Sequence, residues 1–228
     1  MGEVASAYAG CRTRIGELVS SLDAAQLEVP VPTCPKWTVH DVVAHVTGVV
    51  DDALAGRLEG APGDPWTSAQ VEARRGRAIT DVVAEWNEKA PAFEQLLDAI
   101  GAAGPQAVLD VVSHEHDIRC AVARPGARDS DAVTIGLGFV GPGFVGSAAA
   151  QGVDVRVDVA DGRSFGGEGA RVTLAADAFE LVRAMTGRRS VEQLRKLPWA
   201  GAGDADVDRL VAAFTYGPFR PAERPIDE

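Results

Sequence analysis

Residues 110–119, DVVSHEHDIR, hold the densest group of potential metal ligands and proton carriers in the sequence. Two histidines, two aspartates and a glutamate fall within this short stretch, whereas the whole chain contains only 4 histidines. Imidazole and carboxylate groups bind divalent metals and also act as general acids and bases. The stretch therefore indicates either a metal site or a charged helix surface that happens to contain histidine.

A helical projection separates this stretch into two faces. At about 100° per residue, Asp110, His114 and Asp117 fall on one stripe. Glu115 and Arg119 lie nearly opposite, at the four-residue spacing that favours an ion pair on a solvated face. We therefore expect the stripe to face the interior, where a carboxylate beside an imidazole is costly unless it is paired or bound to a cation.

A second histidine-containing stretch, TVHDVVAHVTG, spans residues 38–48. His45 lies there at the edge of the apolar helix face, and a neighbouring helix of a bundle can bring it against His114 and Asp110. Three protein ligands with an open position are typical of catalytic zinc, and the same set suits non-haem iron. A hydrogen-bonded core network without metal is the alternative. His40 and His116 are predicted to be solvated or to support a ligand.

Composition limits the possible partners and compartments. With 228 residues the chain can form one large domain or two small ones, and 46% hydrophobic and 24% charged residues are ordinary for a soluble protein. A net charge of −11 argues against nucleic acid or an anionic membrane as partner. The 3 cysteines lack a CxxC motif, and we find neither a signal peptide nor an 18-residue apolar run. A cytoplasmic protein without a membrane span is expected.

The first half of the chain has the periodicity of helices. Apolar residues recur every three or four positions over 3–23 and 38–58, and Thr38 followed by Asp41 predicts a capping box. Segment 68–100 is helical in pattern but is predicted to kink or split at Pro91. A fourth helix is predicted over 105–123. Four long helices with modest connections indicate a bundle.

The last third of the chain has a different pattern, so a domain boundary is placed near residue 150. Residues 152–162 alternate apolar and polar side chains, which predicts a strand, and GARVTLAADAFELVRAMTG reads as a strand followed by a helix. GLGFVG, residues 136–141, matches a dinucleotide-loop pattern, but the following Pro142 is expected to forbid the helix that such a loop requires. The predicted class is α+β, with domains 1–150 and 151–228.

Two stretches carry a resemblance to a known family. VPTCPKWTVHDVVAHVTG, residues 31–48, and DVVSHEHDIRCAVARPGARD, residues 110–129, resemble the signatures of the mycothiol-dependent maleylpyruvate isomerase family, in the DinB-like superfamily. The order of a four-helix bundle and a small α/β domain is also similar. The resemblance covers most of the chain and is weakest in the second domain. It implies a DinB-like bundle that carries a metal site.

The resemblance also implies a set of ligands. A divalent metal, usually zinc, would be held by His45, Asp110 and His114, although the family pattern usually has Glu at the position of Asp110. Asp is one methylene shorter, so the metal would lie closer to the helix or a water would bridge. Asp117 matches an aspartate that commonly follows the histidine by three, and it is expected to orient an imidazole N–H.

The family chemistry uses mycothiol as a thiol cosubstrate. A metal-bound thiol is deprotonated near pH 7, adds to a cis double bond and is eliminated after rotation, while relatives transfer the thiol to an electrophile. An anionic substrate needs a cation, which Arg188 or Arg189 in TGRRS could supply, solvated arginines being the alternative. Cys34 lies either near the site or in a structural role. A non-catalytic metal- or thiol-binding module and a metal hydrolase on the same bundle stay open.

Overall fold

A computed structural model describes residues 2–101 and 103–228 of the chain. Contacts within it divide the chain into two compact units, Met1–Gly126 and Ala127–Glu228. The first unit is helical apart from a short hairpin, and the second combines a mixed four-stranded sheet with helices. The predicted α+β class is therefore confirmed.

The elements of the first unit follow one another with short connections. They are α1 (Glu3–Ser20), α2 (Ala24–Leu27), β1 (Pro30–Val31), β2 (Cys34–Thr38), α3 (Val39–Ala55), α4 (Asp64–Glu72), α5 (Ile79–Ala99) and α6 (Ala103–Ala121). Helices α1 and α3 each pack against α5 and α6, which confirms the predicted four-helix bundle. Trp86 lies fully buried in its core and donates a hydrogen bond to the Tyr8 hydroxyl at 3.3 Å.

The start of α3 is fixed by the predicted capping box. The Thr38 hydroxyl accepts from the backbone N–H of Asp41 at 3.2 Å, and the Asp41 carboxylate accepts from the backbone N–H of Thr38 at 3.0 Å. Two otherwise unpaired donors are thereby satisfied at the helix N-terminus. The proline-rich segment before it forms the antiparallel hairpin β1–β2. His45 consequently lies about two turns inside a rigid helix.

The break predicted at Pro91 lies elsewhere. Helix α5 continues through Pro91, whereas residues 73–78 separate α4 from α5, with Gly76 in the left-handed region at φ 75°. Pro91 deprives the carbonyl of Asn87 of its helical donor. Both residues are exposed, so water can hydrate that carbonyl and the helix need not break.

A cluster of ionic side chains joins α5 to the segment after α4. Glu85 accepts from Arg74 at 2.5 Å, from Arg77 at 2.5 Å and from Lys89 at 3.0 Å. Burial alone would raise the pKa of Glu85, but the hydrogen bonds from these three cations outweigh it and lower the pKa to about 2. The carboxylate therefore stabilises the folded state whenever it is ionised.

Glu85→Gln is expected to lower the free energy of unfolding by about 2 kcal/mol at pH 7. Because the folded pKa lies below the ordinary value of 4.5, this stabilisation is full above that value and is lost as the pH falls towards 2. Urea unfolding at pH 7, 4 and 3 should show the gap between wild type and variant narrowing. Exposed Glu88→Gln serves as the control, and a gap of constant size would contradict the prediction.

The second unit is built around a small sheet. Its elements are α7 (Asp131–Ala150), β3 (Val155–Val159), β4 (Ser164–Phe165), β5 (Val172–Ala176), α8 (Ala178–Met185), α9 (Val191–Arg195), β6 (Trp199–Ala200) and α10 (Asp204–Ala213). The strand order is β4-β3-β5-β6, with β3 and β5 parallel and the other pairs antiparallel. Alternate valines of β3 are buried, as the alternating pattern predicted.

Helix α7 corrects two expectations. GLGFVG lies inside α7, which runs through Pro142, so this motif is part of a helix instead of a dinucleotide loop, and the expectation that Pro142 forbids a helix is wrong. Pro142 and Gly138, whose carbonyl loses its donor, are both exposed. The helix is also long and apolar enough to cross a membrane by length and composition alone, so the expectation that the chain has no 18-residue apolar run is wrong as well. Core helices of soluble proteins share this length and composition, and α7 packs against α8, α10 and β3.

The contact units differ from the predicted domains in one element. Helix α7 belongs to the unit that begins at Ala127, whereas the sequence pattern assigned it to 1–150. The loop that ends α6 carries the division between the units. That two independently folding domains exist stays a prediction.

Candidate metal centre

Three predicted ligands from two helices of the bundle lie together. One ligand atom each from His45 on α3 and from Asp110 and His114 on α6 lie within 4.8 Å of one another. The two imidazole rings are 5.1 Å apart and nearly perpendicular. Nε2 of His114 lies 3.7 Å from Oδ1 of Asp110, a separation typical of two donors that share one ion at metal–ligand distances of about 2.1 Å.

His114 is oriented by a buried carboxylate. Its Nδ1 lies 3.1 Å from Oδ2 of Asp117, whose side chain is fully buried one turn further along α6. Because a carboxylate accepts, Nδ1 of His114 is the donor in this contact, and Nε2 lies on the side of Asp110. Asp117 thus has the geometry expected of a residue that orients an imidazole N–H.

His45 is oriented by an amide. Its Nδ1 lies 2.7 Å from Oε1 of Gln70, which α4 places over α3. Burial lowers the pKa of His45 to about 4, and the nearby Asp110 carboxylate opposes that shift only in part. His45 is therefore neutral at pH 7, the form in which imidazole binds a metal.

Two indoles border the histidine pair, and Asp110 borders the solvent. The Trp37 ring, from β2, lies 5.0 Å from the His45 ring and 6.4 Å from the His114 ring. Trp66 approaches His45 edge-on at 6.4 Å, and its Nε1 donates to a backbone carbonyl at 2.9 Å. The Asp110 side chain is 40% exposed while both histidines are buried, so the cluster opens to solvent at Asp110.

Cys34 lies beside the same cluster. Its sulfur, with one atom each of His114 and Asp117, forms a second group of potential ligands within 4.8 Å. The structure therefore places Cys34 near the candidate site, which was one of its two predicted alternatives. The hairpin β1–β2 thus contributes both a thiol and an indole to the surroundings of His114.

The expectation that Glu115 and Arg119 face water is wrong. Glu115 is fully buried and accepts from Arg119 at 2.9 and 3.0 Å and from Arg14 of α1 at 2.7 and 2.8 Å. The four-residue spacing on α6 predicted the ion pair of Glu115 and Arg119 correctly, but it did not predict the burial of that pair. His116 is also buried, so its solvated reading is wrong, while half-buried His40 contacts the backbone carbonyl of Arg77 at 2.9 Å.

The two predicted substrate cations belong to the second unit. Half-buried Arg188 donates to the backbone carbonyl of Thr186 at 2.7 Å. Arg189 is buried and pairs with Glu180 at 2.6 Å and Glu228 at 3.4 Å, so a solvated Arg189 is excluded. Arg188 as the substrate cation stays a prediction.

Sequence reasoning missed three residues that surround the histidines. Gln70 and Trp66 lie on a helix of nine residues whose weak periodicity gives no phase, so nothing in the sequence directs them at His45. Trp37 offered a signal, since it stands in the stretch CPKWTVH just before the His45 helix.

A family model, "Mycothiol maleylpyruvate isomerase N-terminal domain", matches residues 8–129, which contain all of these residues and the predicted ligands.

The chain belongs to this family. The resemblance inferred from residues 31–48 and 110–129 is thereby confirmed. The mycothiol maleylpyruvate isomerase family is named for an enzyme, and its match extends from α1 to just beyond the bundle, so it includes both helices that carry the histidine pair.

A solved structure has a fold similar to that of this chain. The chain described as "Crystal structure of the mycothiol-dependent maleylpyruvate isomerase" aligns with a TM-score of 0.51 and 10% identity, over 82% of this chain and 88% of that one. At this identity the likeness concerns the fold. A comparison with curated protein sequences gives no match.

Proposed function

We propose that this protein is a metal-dependent enzyme that uses mycothiol as cosubstrate and acts on a small, electrophilic, anionic substrate. It either isomerises this substrate or transfers the thiol to it. One observation carries the proposal: two buried imidazoles and a carboxylate converge at the edge of the bundle that is open to solvent. Membership in the isomerase family supports the thiol and the reaction class.

The donor set fits a divalent ion. Two imidazole nitrogens and one carboxylate suit zinc first and also non-haem iron, and three protein ligands leave a position for a thiol. The ion, once bound, would lower the pKa of a coordinated thiol so that the thiolate exists near neutral pH. His45, Asp110 and His114 would hold it.

The residues around the ligands have separate tasks in this proposal. Asp117 and Gln70 contact the Nδ1 atoms with acceptor oxygens, so the Nε2 atoms would be the ones that bind the ion. Trp37 shields the paired rings from water, and the exposed side at Asp110 admits thiol and substrate. In an isomerisation one carbon–sulfur bond forms and the same bond breaks, so the thiol is regenerated and nothing is oxidised.

The remaining features fit a small-molecule enzyme of the cytoplasm. The net charge of −11 disfavours nucleic acid and anionic membranes as partners. The 3 cysteines are widely spaced and lack a CxxC motif, which is usual for a protein of a reducing compartment. Arg188 is the proposed cation for a substrate carboxylate.

The test is a set of parallel assays on the purified full chain. About one equivalent of divalent metal is expected. A cis-alkene dicarboxylate should be isomerised or should add mycothiol as a thioether, and either product should require mycothiol. Binding of metal and mycothiol without product would show a binding module, and turnover without thiol would show a hydrolase. Either result overturns the proposal.

Asp110→Asn is expected to weaken metal binding by roughly 10- to 100-fold, because the amide oxygen is a neutral and weaker ligand. Asp110 is partly exposed, so the fold should tolerate the change. Competition with a chromophoric chelator measures the affinity, with exposed Glu88→Gln as the charge-matched control. Equal affinities in the two variants would remove Asp110 from the ligand set.

A further inference from the structure

We propose that Gln70 is a positioning residue for His45, and that Asp52 and Arg57 fix the direction of its amide. This inference rests on the metal-dependent function proposed above. Gln70 is only 3% exposed and lies outside the three candidate ligands. Its task is to decide which ring nitrogen of His45 faces the metal.

The direction of the Gln70 amide follows from its outer neighbour. Gln70 Nε2 lies 2.7 Å from Oδ2 of Asp52, and Asp52 Oδ1 accepts from Nε of Arg57 at 2.8 Å. A carboxylate paired with a guanidinium only accepts, so the amide must turn its N–H towards Asp52. Its oxygen is then left for His45, at 2.7 Å from Nδ1.

That direction selects the tautomer of His45. Since the amide oxygen can only accept, the proton of the neutral imidazole is held on Nδ1 and the lone pair on Nε2. Without this partner both tautomers of a neutral imidazole are accessible, and only one presents its lone pair to Asp110 and His114. Metal affinity should therefore fall when the relay of Arg57, Asp52 and Gln70 is cut.

Gly48 makes the contact possible. It lies three residues after His45 on the same stripe of α3, and a Cβ built there would lie 2.5 Å from Cβ and 2.6 Å from Cγ of Gln70. Real Cβ atoms do not approach that closely, so any larger residue displaces Gln70. The glycine thus provides a way to disturb the relay without altering the amide or His45.

The amide also limits the negative charge at the site. His114 is supported by a carboxylate directly, whereas for His45 the carboxylate of Asp52 stands one residue further away. Asp110 and Asp117 already offset the two charges of a divalent ion. A neutral residue at position 70 avoids a further anion beside the ion, where it would oppose the binding of a thiolate.

The test compares Gln70→Met and Gly48→Ala with wild type. Zinc affinity, measured by competition with a chromophoric chelator, should fall roughly 10- to 100-fold in both variants. Glu72→Gln is the matched control, because Glu72 lies on the same helix in an exposed pair with Arg75 at 2.8 Å. Nitrogen NMR of the metal-free proteins at one pH should show His45 protonated on Nδ1 in wild type and as a mixture in Gln70→Met.

The two readouts separate the inference from the function on which it rests. A wild type with the Nδ1–H tautomer but no zinc binding would overturn the metal-dependent function and leave the positioning role of Gln70 standing. A Gln70→Met variant that binds zinc like wild type and keeps the Nδ1–H tautomer would overturn the inference. Should Gln70→Met fail to fold, Gly48→Ala supplies the same comparison.

Discussion

Replacing His114 with alanine is expected to remove the bound metal and to reduce mycothiol-dependent turnover by on the order of 1,000-fold or more. His114 supplies one of two imidazole donors, and it is the residue that links Asp110 and Asp117 within α6. Two donors remain after the change, too few for a stable site with three protein ligands. Metal analysis of both proteins after identical dialysis measures the effect.

The control for this change is His40→Ala. His40 contacts a backbone carbonyl at 2.9 Å near the start of α3 and belongs to neither group of potential ligands. It should keep about one equivalent of metal and full turnover. A His114→Ala protein that retains its metal would show that the ion is bound elsewhere. The side chains of residues 110–119 would then form a hydrogen-bonded network without an ion.

Glu115→Gln is expected to destabilise the bundle by about 3 kcal/mol. Glu115 is fully buried and accepts four hydrogen bonds from Arg14 and Arg119, whose side chains are 30% and 15% exposed. A neutral amide leaves two guanidinium groups without their counter-charge in a half-buried position. Urea unfolding at pH 7, followed by circular dichroism, measures the loss.

The control is again an exposed glutamate in an ion pair. Glu72→Gln removes a pair with Arg75 in which both side chains are more than half exposed, and the change should stay below about 0.5 kcal/mol. Equal losses in the two variants would mean that Glu115 contributes no more than a surface charge. A double-mutant cycle with Arg14→Met then assigns the coupling energy to the contact between α1 and α6.

The helices could be predicted from the periodicity of the sequence, but the contacts between different helices could not all be predicted. Thr38 and Asp41 predicted the start of α3 correctly because a capping box is a contact between residues three apart in the sequence. The face of α6 that carries Glu115 is decided by Arg14, which lies on another helix about a hundred residues earlier. An i,i+4 pair has the same pattern whether it faces water or a second arginine, so spacing alone could not place it.

The candidate site was predictable to a similar degree. His114 and Asp117 share a stripe that any helical projection reveals, and both the expected bundle packing and the family resemblance joined this stripe to His45. Gln70 lies on a short helix that packs on α3 and offers no such pattern. The breaks predicted at Pro91 and Pro142 are absent because the energetic cost of a proline depends on whether the carbonyl that loses its donor faces water. A local sequence rule cannot give the exposure of that carbonyl.

The hairpin β1–β2 gives the site two parts that can change separately. The histidines stand on long helices whose register is fixed by the packed bundle, while Trp37 and Cys34 stand on a two-stranded ribbon at its edge. Ribbons and loops accept substitutions and insertions more readily than packed helices. Substitutions in the ribbon can therefore change the thiol and the indole beside His114 while the positions of the histidines on their helices stay fixed.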